Sequence, residues 1–147
     1  MGGTPMSYQW LEIRITEEQE RRQREAQILD CLPRVLDEVH GAVVLCVEAY
    51  VEAFGPQSLE VDYHPPKIRV TVREEQEGKW EKSAKVEITT VGKLPGLHVE
   101  GSGEPVDIVV GLLPGGKIAY KDGDEFLTNE ELTRRILDRA LFPKLAE

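Results

Sequence analysis

Between Ile28 and Phe54 the apolar residues recur at helical spacing: Leu29, Leu32, Leu36, Val39, Val43, Cys46 and Tyr50 follow at steps of three and four. That spacing lays them along one face of an α-helix. Ile28, Val35, Ala42 and Ala49 widen the seam on one side. Beyond Gly41 the apolar residues nearly encircle the helix, through Val44, Leu45, Val47, Val51 and Phe54, which predicts burial on most sides there. Full burial of one such side chain stabilises by roughly 1.5–3 kcal/mol, so the seam supplies on the order of 10–20 kcal/mol gross. The rest of the chain is expected to fold around this stretch.

Upstream of it, Tyr8 to Ile15 alternates, with Leu11, Ile13 and Ile15 to one side and Glu12 and Arg14 to the other. Alternation of that kind predicts a half-buried strand. Thr16-Glu17-Glu18-Gln19 then has capping-box spacing, so a helix is expected to start there. Glu17–Arg21, Glu18–Arg22 and Glu20–Arg24 follow at i,i+4 and describe a solvated face through Gln27. One straight helix from Thr16 to Phe54 would span ~58 Å. A compact domain of this length should be only about 38 Å across. Pro33 offers the break, because its ring clashes with the Leu29 carbonyl and removes a hydrogen bond at a cost of roughly 3 kcal/mol. Two helices, or one sharply kinked helix, are expected to meet near Leu32–Pro33. Gly41 is a weaker break, and Gly55-Pro56 ends the element.

From Ser58 the period falls to two. Leu59, Val61 and Tyr63 face one way; after His64-Pro65-Pro66, so do Ile68, Val70 and Val72, with Lys67, Arg69, Thr71 and Arg73 opposite. Trp80, Ala84, Val86 and Ile88 carry a longer strand beyond the turn at Gly78. Gly92 to Gly96 breaks it, Leu97 and Val99 make a short strand, and Gly101-Ser102-Gly103 turns again. Val106 to Leu113 is the most apolar strand and is expected at the centre. Pro114-Gly115-Gly116 leads into Ile118-Ala119-Tyr120, and Asp122-Gly123-Asp124 turns the chain once more. Thr128-Asn129-Glu130-Glu131 is a second capping box, opening a helix with Leu132, Ile136, Leu137, Ala140 and Leu141 on its inner face, stopped by Pro143. Turns this short favour antiparallel neighbours, since parallel crossovers need a dozen or more residues. The expected fold is α+β: an antiparallel meander of about six strands on a long kinked N-terminal helix or helix pair, with a short C-terminal helix. Residues 1–7 read as a flexible leader, and residues 8–147 as a single domain.

Composition narrows the partners. The 147 residues carry a formal charge of −9, which repels nucleic-acid backbones and anionic membranes. No stretch is apolar for long enough to span a bilayer, and the N-terminus lacks a signal-peptide pattern. Cys31 and Cys46 would stand about 22 Å apart on a continuous helix, and bridged cysteines need Cα atoms within roughly 7 Å. Reduced thiols and a cytoplasmic setting are therefore expected.

Candidate chemistry is sparse. Gly111-Leu112-Leu113-Pro114-Gly115-Gly116-Lys117 has the glycine and lysine spacing of a phosphate loop. However, Ile118 stands where a hydroxyl must hold Mg²⁺, and the residues that follow alternate like a strand. A Pro-Gly hairpin turn is the expectation. Asp122, Asp124 and Glu125, with Glu130 and Glu131 nearby, offer oxygens to a hard cation, but the spacing is not that of a calcium loop. Glu77-Gly78-Lys79 matches a nuclease fragment that would need an acidic partner on a neighbouring strand. His40, His64 and His98 share no metal-ligand spacing, Cys31 has no base beside it, and Ser83 and Ser102 have no nucleophile-elbow context. No catalytic, cofactor or metal site is assigned from the sequence.

The favoured role is a non-enzymatic interaction or assembly module, pairing with itself or a partner protein through the Leu29–Tyr50 seam. The order of elements also resembles that of the helix-grip fold of plant-allergen and lipid-transfer domains. That resemblance implies a curved sheet and a terminal helix enclosing an apolar cavity for a small ligand. A metal-dependent enzyme built on the carboxylate cluster is the third reading.

Overall fold

The computed structural model describes residues 8–90, 95–101 and 103–145. The leader expected over residues 1–7, most of the break before Gly96, and Ser102 lie outside the described residues. Helix α1 runs from Gln9 to Phe54, and a seven-stranded sheet follows: β1 (Leu59–His64), β2 (Lys67–Gln76), β3 (Lys79–Thr89), β4 (Gly96–Glu100), β5 (Val106–Leu113), β6 (Lys117–Asp122) and β7 (Glu125–Leu127). Helix α2 (Asn129–Leu141) closes the chain. The strands are antiparallel and lie in the sheet in chain order, β1 to β7, as their short turns demand. The fold is α+β, and no helix among the described residues is long and apolar enough to cross a membrane.

The seventh strand, Glu125–Leu127, is one more than the alternation predicts; three residues are too few to show a period. β5 is an interior strand one place from the middle, not at it. Its apolar run serves two faces: Ile108 and Val110 are buried towards the helices, while Val109 and Leu113 are exposed on the other side.

Three expectations about the first helix are corrected. Tyr8 to Ile15 is not a strand, since Gln9 to Ile15 are the opening turns of α1. Tyr8, Leu11 and Ile15 also satisfy a three–four step, so the apolar residues of this stretch fit a helix as well as a strand. Thr16 therefore caps nothing; its hydroxyl donates to the Glu12 carbonyl at 3.1 Å, the bond a threonine makes inside a helix. Of the two forms expected at Pro33, the chain takes the undivided one, for α1 is one helix of 46 residues with Pro33 inside it. Pro33 is exposed, while Leu32, Val35 and Leu36 beside it are buried against the sheet, so the turns on both sides of the proline are held by packing. Pro33→Ala restores the missing hydrogen bond without touching the core. We expect it to raise stability by about 2 kcal/mol, read as a higher urea midpoint at unchanged m-value.

The third correction concerns which side chains the helix buries. They are Leu32, Val35, Leu36, Val39, Val43 and Val47. Leu29 is 50 % exposed, and Cys46 and Tyr50 are only partly covered. After Gly41 the helix is buried on one side only, leaving Leu45, Ala49, Ala53 and Phe54 exposed. The sheet is a single layer and covers one face of the helix, whatever the helix offers on the others.

α2 joins the same core through Leu132, Ile136, Leu137 and Ala140. Its start is as read from the sequence: the Glu131 backbone N–H donates to the Thr128 hydroxyl, and the Thr128 N–H to the Glu131 carboxylate. Leu36, Ile68, Val70, Ile88, Leu97, Ile108 and Val110 fill the space between helices and sheet. At 1.5 Å per residue α1 is roughly 69 Å long, far longer than the ~38 Å body. It therefore projects. No residue from Tyr8 to Cys31 is buried, and Ile28 and Cys31 are the first to touch the core, so Gln9 to Gln27 form an arm of about 29 Å.

Candidate functional site

Alternation sends every second side chain of β1–β5 to the sheet face turned away from the helices, and the antiparallel register lines them into rows. One row crosses β1 to β4 as Asp62, Arg69, Glu87 and Glu100; the next runs His64, Lys67, Thr89, His98 and Asp107. Charges in these rows meet their opposites. Arg69 Nε donates to Glu87 Oε2 at 3.0 Å, with Lys67 Nζ at 3.6 Å and Lys85 Nζ at 3.9 Å from the same carboxylate. Burial alone would raise the Glu87 pKa, but Arg69 and the two ammonium groups outweigh it and hold the carboxyl below its usual range. The basic strip Lys67–Arg69 is thereby largely neutralised in place. Arg73, the third basic residue of that strand, pairs with Glu60 at 2.8 Å.

His98 sits between two acids, Nδ1 at 2.6 Å from Asp107 Oδ1 and Nε2 at 2.8 Å from Glu100 Oε1. With both carboxylates ionised, each ring nitrogen must carry a proton to donate. The hydrogen bond it donates to Asp107 and then that to Glu100 raise its pKa, against a smaller opposing effect of burial. An imidazolium so held has no lone pair for general-base work. Its contribution to stability is full below the unfolded histidine value of about 6.5 and is lost as pH rises through the folded value. Urea midpoints measured across that window should fall with rising pH in the natural protein, and His98→Gln should flatten the slope. An unchanged slope would mean that the two carboxylates do not hold the charged form.

The other histidines are elsewhere. His40 on α1 stacks on Tyr63 of β1 with ring centroids 4.2 Å apart. The Tyr63 hydroxyl donates to Asp37, and burial with that carboxylate pushes its pKa up to about 12. His64 lies at the sheet edge with Asp62, Lys67 and Arg69 around a shallow concavity of about 480 Å³. The remaining charged candidates are engaged structurally. Arg135 of α2 reaches Asp122, and Glu125 at 2.7 Å, so its guanidinium takes the place between those acids that a cation would fill. Gly115 and Gly116 adopt positive φ in the β5–β6 turn, where the Gly116 N–H donates to the Leu113 carbonyl at 3.0 Å; the phosphate-loop spacing is a hairpin. Glu77-Gly78-Lys79 is the tip of the β2–β3 hairpin. Cys31 and Cys46 are free thiols.

Two concavities border α2. A groove of about 460 Å³ between α1 and α2 is lined by Cys46, Tyr50, Phe54, Leu137, Leu141 and Phe142. A cleft of about 870 Å³ lies between α2 and β3–β5, with Val86, Val99, Val106 and Ile136 on its floor and Glu131, Arg135 and Arg139 at its rim.

The arm presents the largest exposed apolar side chains on one element: Tyr8 at its cap, then Trp10, Leu11, Ile13 and Ile15. Between these and the body the helix is charged and self-braced. Arg21 bonds Glu18 at 2.8 Å and Glu25 at 2.6 Å, and Arg22 bonds Glu18 at 2.8 Å. Those guanidinium groups hold the Glu18 carboxyl down at about 2. A polar helix with such pairs persists without a sheet beneath it. Sequence reasoning missed the arm because it read the apolar tip as a strand; the same residues at three–four spacing were the available signal. The His98 cluster was legible only as outward alternation of His98 and Glu100, and Asp107 joins them through a register that the turn sets. No protein-family model matches this chain, and no curated protein or solved structure does either.

Proposed function

We propose that the protein is a non-enzymatic interaction module that works through the arm of α1. The observation that carries this reading is the exposure of Trp10, Ile13 and Ile15, at 65 %, 55 % and 48 %, on a helix reaching beyond the body. Large apolar side chains clustered on a projecting element are the mark of a contact surface. The Leu29–Tyr50 seam as a whole does not serve, because Leu32 to Val47 of it is spent on the protein's own sheet. A reducing, cytoplasmic compartment suits two free thiols. A photo-crosslinking side chain at position 15, introduced in the native host, should give adducts with a protein chain. The same group at the exposed hairpin residue Glu75 should give none. Absence of adducts at position 15 would overturn the reading.

The groove between α1 and α2, lined mainly by apolar side chains, favours a second reading, a binder of small apolar ligands. Its volume of about 460 Å³ falls within the range of ligand pockets, roughly 300–1,000 Å³. Titration with a long-chain fatty acid should then shift the methyl resonances of Ala49, Leu137 and Leu141. Silence at those methyls removes this reading.

A further inference from the structure

Resting on the interaction reading, we propose that the arm pairs with the arm of a second copy of this chain, antiparallel. One three–four register runs the whole length of α1: Tyr8, Leu11, Ile15, Glu18, Arg22, Glu25, Leu29, Leu32, Leu36, Val39, Val43. From Leu32 onward the protein's own sheet covers most of that face; among the described residues nothing covers it before. The uncovered part is therefore the continuation of an interface the molecule already makes, in the repeat by which two helices associate.

The order of residues along it selects the direction. Apolar side chains stand at both ends, Tyr8, Leu11 and Ile15 at one and Leu29 at the other, with Glu18, Arg22 and Glu25 between them. Side by side and parallel, each charge would face its own copy, acid on acid and base on base. That juxtaposition destabilises. Antiparallel about a two-fold axis near residue 20, Leu11 meets the partner's Leu29, and the Glu18–Arg22 pair that each helix makes within itself at 2.8 Å lies across the partner's same pair with acid facing base; the symmetry repeats both contacts. Ile15 meets the partner's Glu25, whose carboxylate is already turned to its own Arg21 at 2.6 Å, leaving the aliphatic stem to cover the isoleucine. Overlap stops where each body begins at Leu32, so the two bodies sit at opposite ends and the contact closes at two copies.

Sedimentation equilibrium of the full chain should show a monomer–dimer equilibrium. Arg22→Glu should weaken it about tenfold or more, and the exchange Glu18→Arg with Arg22→Glu should return it to within about threefold of the natural value. Mixing Leu11→Cys protein with Leu29→Cys protein under oxidation should give the 11–29 disulfide, mapped by peptide mass. An 11–11 disulfide formed by Leu11→Cys protein alone means a parallel pair and overturns the proposal. A strict monomer at millimolar concentration overturns it too. Crosslinks from position 15 to a different protein, in a chain that stays monomeric, sink the self-pairing and leave the interaction reading standing.

Discussion

Leu36→Ala should cost about 3–4 kcal/mol of folding stability, a large part of what a domain this size holds in reserve. Leu36 is 1 % exposed and sits on the covered face of α1 among Val39, Val43 and the inward side chains of the sheet. Removing its branched end leaves a void bounded by a helix and a sheet that are both tied elsewhere, so the site cannot collapse to fill it. Leu45→Ala on the same helix supplies the contrast. Its side chain is 69 % exposed, and the loss should stay within about 0.5 kcal/mol. Urea denaturation of both variants at matched m-value decides the matter. Equal losses would mean that the sheet does not cover the helix face assigned to it.

Gly96→Ala should be nearly as damaging, at about 3 kcal/mol, through crowding and not through a void. A β-carbon built at Gly96 would stand 2.1 Å from the Ile108 carbonyl oxygen on the neighbouring strand and 3.1 Å from the Val109 Cα. Both are backbone atoms inside a hydrogen-bonded sheet, so relief means displacing β4 from β5. Gly111, on β5 itself, has nothing within 4 Å of its would-be β-carbon, and Gly111→Ala should therefore leave stability unchanged or slightly raised. Thermal melts of the pair separate a glycine needed for close approach from one that is not. If Gly96→Ala melts like Gly111→Ala, the β4–β5 approach is looser than described.

The sequence made the sheet legible because its signals are local. His64-Pro65-Pro66-Lys67 and Glu77-Gly78 leave room for nothing but hairpins, and the cap at Thr128 is written in the residues that make it. The first helix was harder, because two of its features depend on what lies beyond the segment. Pro33 is tolerated inside it because Leu32, Val35 and Leu36 are clamped by strands that come later in the chain. Leu29 and Leu36 look alike in a periodicity plot; only the reach of the sheet decides that Leu36 is covered and Leu29 is not. The candidate surface shared this fate. An arm is defined by where the body stops, and that edge, between Gln27 and Leu32, corresponds to no change in helical signal.

Strand order equal to chain order has a consequence for how the molecule assembles. Each hairpin can zip from its own turn as soon as its second strand exists, with no wait for a distant segment. The long helix is the exception. Its face from Leu32 to Val47 precedes in the chain every strand it leans on, so on the ribosome it emerges before them and stays wet until several strands have been synthesised. The slow event in folding should therefore be the docking of a ready-made rod onto a nearly finished sheet, and the greasy strip on that rod is what the nascent chain must keep from sticking elsewhere in the meantime.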